Sequence, residues 1–323
     1  MKAALILSLL LLATPVHAVQ NHLLIVSGIG GIESYNQQFS HAASSLKQSA
    51  LAAGIARENI ILLSARPAAD EDPGHRLSEK ATIAQVLREI DARAAAEDRV
   101  FVVLIGHGNA RGDSAVFNLP GPDISADDLA AALDVLGERT TIIINTASAS
   151  GPFIKPLSRP NRVVITATSS GREYHAPLFG DYFVAAFGAP GADRDKDERI
   201  SLLEAFDYAR HEVEQNFTSE KRLPTEHALL DDNGDGDGSL DPGEFNADGA
   251  LAQRIYLQPP WSLESGVSVD FMAMLQRKQT IEQSIGELKQ QRDHMARGQY
   301  YAELETLLLD LALLSRKIRA QGG

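Results

Sequence analysis

The chain has 323 residues, a formal net charge of -13 and no cysteine. The missing thiol excludes disulfides, thiolate metal centres and a cysteine nucleophile, and the acidity disfavours nucleic acid and anionic membrane surfaces as partners. The length suits one large or two modest domains with a substantial core.

Lys2 is followed by the apolar run Ala3–Ala13 and by small residues at Val16 and Ala18. That run is too short to span a bilayer and reads as a secretory signal cut after Ala18. Val19 follows the cut in place of the cysteine a lipoprotein needs. No other stretch is apolar long enough to cross a membrane, so the expectation is an exported, periplasmic, soluble protein.

Leu23–Val26 predicts a first strand, and a helix follows from about Ser34 to Ala53. The glycines between them, Gly28, Gly30 and Gly31, do not make a dinucleotide site. The third glycine of that pattern would fall at Glu33, and the next strand, Asn59–Leu63, ends without a ribose-binding carboxylate. Arg66–His75 is a polar loop, and Ile83, Val86, Leu87 and Ile90 mark one face of a helix over about Ser78–Ala95. Arg99–Ile105 is a buried strand ending in Gly106-His107-Gly108. Ala115–Leu119 predicts a short strand, and Ser125 caps a helix running to about Leu136.

The stretch Thr140–Gly151, TTIIINTASASG, begins as a β-branched strand and breaks into small hydroxyl residues. Arg162–Thr168 repeats the pattern. Alternating strands and helices argue for a mostly parallel sheet covered by helices, whose strands present their carboxyl ends at one edge. His107 and Ser148 are thereby brought toward each other. Helices follow at Asp181–Phe187 and Ser201–Phe217. Pro259-Pro260-Trp261 marks a linker, and Val267–Ala320 is helical in pattern. Tyr301, Leu304, Leu307, Leu308, Leu311 and Leu314 form an apolar stripe, and Arg297-Gly298 offers a turn for a helical hairpin. The boundaries are residues 1–18 for the signal, 19–258 for the α/β domain and 259–323 for the linker and hairpin.

A strand ending in Gly-His-Gly, a capped helix and a strand ending in Thr146-Ala147-Ser148-Ala149-Ser150-Gly151 resemble the caspase-like fold, and most closely the legumain family of cysteine peptidases. Asp98-Arg99-Val100-Phe101 and Phe179-Gly180-Asp181-Tyr182 extend the likeness, which covers roughly Leu23 to Phe217. The resemblance implies a histidine at His107, a nucleophile at Ser148 and an oxyanion hole at the Gly108 and Ser148 amides, acting on a peptide or protein. The chain departs from the family at the nucleophile, where serine replaces cysteine, and at Gly30 and Gly106, where the family has asparagine and aspartate. A serine hydroxyl needs a general base in concert and a group to orient that base. No orienting carboxylate is evident in the sequence. Two functions stay open: an endopeptidase using a Ser148/His107 dyad, with Ser150 as the alternative nucleophile, and a catalytically inactive scaffold that binds a protein through the pocket or the C-terminal helices.

Two acidic loops fit calcium chemistry. In the first, Asp193, Asp195, Asp197, Ser201 and Glu204 take loop positions 1, 3, 5, 9 and 12, with the Arg199 carbonyl at position 7. Glu198 stands at position 6, where glycine is expected. In the second, the same spacing selects Asn233, Asp235, Asp237, Ser239, Asp241 and Glu244, with Gly238 at position 6. A register starting at Asp231 would put Pro242 at position 12, so the later register is expected. Calcium at both loops would stabilise a cysteine-free exported domain.

Overall fold

The computed structural model describes residues 19–66, 76–111, 114–197, 199–243, 247–258 and 268–321. The expected signal, residues 1–18, and the linker residues 259–267 lie outside the described residues. Five strands build the centre: β1 (Asn21–Ser27), β2 (Ile60–Ser64), β4 (Arg99–Ile105), β8 (Thr141–Asn145) and β9 (Arg162–Thr166). Two short edge strands, β3 (Arg76–Leu77) and β10 (Leu229–Asp231), complete a seven-stranded sheet in the order β10-β9-β8-β4-β1-β2-β3. All pairings are parallel except β10 against β9.

The near-continuous apolar strands are explained by burial on both faces. Leu23, Ile25, Phe101, Val103, Ile142, Ile144, Val163 and Ile165 point to one side, where α1 (Glu33–Ala52), α5 (Phe179–Ala186) and α6 (Leu202–Ser219) cover them. The alternate residues Leu24, Val26, Val100, Val102, Leu104, Ile143 and Val164 meet α2 (Lys80–Asp91), α3 (Ala126–Leu133) and α4 (Ile154–Leu157) on the other. Each such side chain contributes roughly 1.5–3 kcal/mol of transfer free energy. This is a caspase-like α/β architecture, as the strand pattern and the resemblance implied.

A small antiparallel sheet, β5 (Gly108–Arg111), β6 (Ser114–Phe117) and β7 (Ile124–Ser125), follows β4 directly. Ser125 caps α3 in a reciprocal box with Asp128, which is why that helix starts where the sequence placed it. The C-terminal helices are α7 (Val269–Gln290) and α8 (Arg297–Gln321). The chain reverses just before Arg297, at Arg292–His294, and not at the expected Arg297-Gly298. The two helices share a core of Phe271, Leu275, Ile281, Ile285, Leu314 and Ile318. Tyr300 is buried in place of the expected Tyr301, which is 47% exposed.

Candidate functional site

The sheet order changes direction between β1 and β4, and the carboxyl ends of neighbouring strands open a crevice at such a point. β4 and β8 pair in register from Val100 with Thr141 to Leu104 with Asn145, so the segments carrying His107 and Ser148 leave the same sheet edge side by side. Thr146 anchors the second segment by donating from Oγ1 to the Leu104 carbonyl at 2.9 Å.

Ser148 is almost fully buried. Its hydroxyl donates to the Gly108 carbonyl at 2.9 Å and accepts from the Gly108 amide at 3.3 Å. A Cβ on Gly108 would lie 2.6 Å from the Ser148 carbonyl oxygen, so only glycine permits this approach of the two chains. Ala149 follows in a left-handed conformation, φ 55°, at a cost of about 1–2 kcal/mol. Its amide is held by the Glu173 carbonyl at 2.8 Å. Ser150 faces the other way. Its hydroxyl lies 3.1 Å from Thr168 Oγ1 and accepts from the Thr168 amide at 3.2 Å, tying β8 to β9.

The His107 ring is half-buried against α1, edge-on to Tyr35 at 4.5 Å and to Phe39 at 4.9 Å between ring centres. Burial lowers its pKa, favouring the neutral imidazole. No hydrogen bond joins this ring to the Ser148 hydroxyl, and the contacts that orient it are aromatic. Beside the pair runs a cleft lined by Gln38, Phe39, Ile105, Thr146, Pro177 and Asp181, with Gln38 donating to Asp181 at its mouth, 2.9 Å.

Two glutamates, Glu226 buried and Glu173 half-buried, hold the rim. Glu226 accepts the amides of Leu178 and Phe179 at 2.9 and 3.1 Å and so caps α5, whose own Leu178 has no capping side chain. Glu173 accepts from the Ser169 amide and hydroxyl and from the His227 amide. The role of Glu226 is not visible in sequence spacing, because it lies 48 residues from Leu178.

The acidic loops differ in a way the spacing does not reveal. Carboxylate oxygens of Asp193, Asp195 and Asp197 converge within 4.8 Å of one another. Lys278 of α7 reaches into this cluster, pairing with Asp195, with Asp197 at 3.2 Å and with Glu282 at 3.8 Å. Arg199 lays its guanidinium over the Tyr256 ring at 3.7 Å. Ser201 and Glu204 form the capping box of α6, and Glu204 also accepts the amides of Arg194 and Asp195. In the second loop Asn233, Asp235 and Asp237 are exposed. Ser239 pairs its backbone with Leu230, and Asp241 pairs with Arg210 at 3.0 Å. Glu244 lies outside the described residues.

A histidine strand end beside a small-residue strand end, on a mostly parallel sheet between helical layers, defines a caspase-like peptidase fold. Residues 79–226 match the model of the Peptidase C13 family, the legumain family of peptidases. No curated protein matches the chain. Among the described residues no helix is long and apolar enough to cross a membrane.

Proposed function

We propose that the protein is an exported, legumain-like homologue that binds an extended peptide at the β4/β8 edge without rapid hydrolysis. The observation that carries this reading is the Ser148 hydroxyl, which gives its proton to the Gly108 carbonyl and not to His107. A hydroxyl so engaged is not activated, and a neutral imidazole packed on two aromatics, with no carboxylate partner among the described residues, is a weakly directed base. The adjoining cleft offers apolar walls and one amide–carboxylate pair at its mouth, features suited to a peptide side chain. The leader-like residues 1–18 support export.

A second reading is a serine peptidase. It is favoured by the left-handed Ala149 next to Ser148, because backbone strain concentrates at active sites. Ser148 Oγ would then leave Gly108, pass its proton to His107 and attack the peptide carbonyl, with the Gly108 and Ser148 amides stabilising the oxyanion.

Incubation of the protein with a fluorophosphonate and with a fluorogenic peptide mixture separates the two. Silence in both assays, with retained binding of the peptides, is expected; labelling or turnover that Ser148→Ala abolishes would establish the peptidase.

A further inference from the structure

Helix α8 carries more apolar surface than α7 covers. Leu314 and Ile318 are buried in the core of the hairpin, with Leu304, Leu307, Leu308 and Leu311 packed beside them. Tyr301, Leu309 and Leu313 lie outside that seam and are 47%, 58% and 51% exposed. At 3.6 residues per turn these three fall on one side of the helix, turned away from Leu314 and Ile318, together with the exposed Ala302 and Ala312. An amphipathic helix needs one apolar face; α8 has a second.

Two charges stand in this second face. Glu305 and Arg316 fall in the same sector, both exposed, and among the described residues neither forms an ion pair. Charges three or four residues apart on a helix can meet. Glu305 has Tyr301, Ala302, Leu308 and Leu309 at those positions, and Arg316 has Ala312, Leu313, Arg319 and Ala320. Neither finds an opposite charge along its own helix.

A second copy supplies one. In a two-fold contact the same patch meets itself, and residues of an antiparallel helix pair match outward from the axis in equal steps. With the axis crossing between Asp310 and Leu311, each Glu305 faces Arg316 of the other copy. The same register sets Leu309 opposite Ala312 and Tyr301 opposite Ala320, a large side chain against a small one each time. The overlap from Tyr301 to Ala320 is about 30 Å long at the rise of an α-helix. The patch is locally neutral, and the repulsion expected of a chain with net charge -13 is screened beyond about 8 Å at physiological salt.

We propose that the chain forms a two-fold dimer through α8, in which two hairpins join as an antiparallel four-helix bundle and Glu305 of each copy pairs with Arg316 of the other. This contact is independent of peptide binding at the β4/β8 edge.

Sedimentation equilibrium of the full chain over about 1–100 μM, in about 0.15 M salt, tests it. A dimer is expected, weakened about tenfold or more by Leu309→Glu. Glu305→Arg and Arg316→Glu should each weaken it, and the two combined should restore it to within about threefold of the parent. All three positions are exposed in the single chain, and far-ultraviolet circular dichroism checks that the variants keep their helices. A monomer at every concentration, parental association in Leu309→Glu, or a charge-swapped double variant no better than the single ones would each overturn the assignment. A monomer that co-sediments with phosphatidylcholine vesicles would overturn it in favour of a lipid surface.

Discussion

Lys278 Nζ lies 3.2 Å from Asp197 Oδ2, so a cation supplied by the C-terminal helices fills the carboxylate cluster of a loop 81 residues away in sequence. The ammonium is buried, and the surrounding carboxylates hold it firmly protonated despite desolvation. Replacing it by Lys278→Met leaves Asp195 and Asp197 facing each other without a counter-charge, at an expected cost of about 3–5 kcal/mol. Urea denaturation should show the loss, and limited proteolysis should release α7 and α8 earlier than in the parent. Pairing the change with Asp197→Asn should recover part of it.

Glu282 sits on the same cluster, and burial pushes its carboxyl up to about 7, with Asp195 and Asp197 adding to the rise and Lys278 and Arg254 opposing it. Its folded value exceeds the ordinary glutamate value of 4.5, so the folded chain holds this proton where the unfolded chain has released it. The associated stability is present at low pH and is lost as pH rises from about 4.5 toward 7. Glu282→Gln should therefore match the parent in acid and exceed it at pH 8, by up to about 3 kcal/mol. Thermal melts across that window check the sign; equal slopes for the two proteins would contradict it.

At the sheet edge, the Ser148 hydroxyl serves both polar groups of Gly108. Ser148→Ala removes a buried donor and acceptor together and is expected to lower stability by about 1–2 kcal/mol. In the non-hydrolytic reading this appears in the denaturation midpoint with peptide affinity unchanged. A variant of parental stability would show that the bridge to Gly108 is not a structural tie.

The cap on α5 is supplied from far away. Glu226→Ala leaves the half-buried Leu178 amide and the buried Phe179 amide without acceptors, and a loss of about 1–3 kcal/mol is expected. Amide hydrogen exchange should quicken first in α5, next to the cleft wall at Asp181.

The central strands were legible because β-branched apolar runs such as Thr141–Asn145 have one environment that suits them, a sheet covered on both sides. Ser125 was legible as a cap because capping is decided within four residues, whereas Ser201, read as a loop ligand, caps α6. β3, β7 and β10 were not, since strands of two or three residues carry no periodicity.

By itself the sequence determined the α/β class, the meeting of the His107 and Ser148 strand ends at one edge, and the absence of a thiol nucleophile, because burial periodicity and composition are local properties. Only the tertiary structure decided that Ser148 turns to Gly108, that His107 rests on Tyr35 and Phe39, and that Lys278 occupies the first acidic loop. Those outcomes depend on which distant side chain arrives at a given carboxylate or hydroxyl, and that depends on packing between elements with no fixed spacing along the chain.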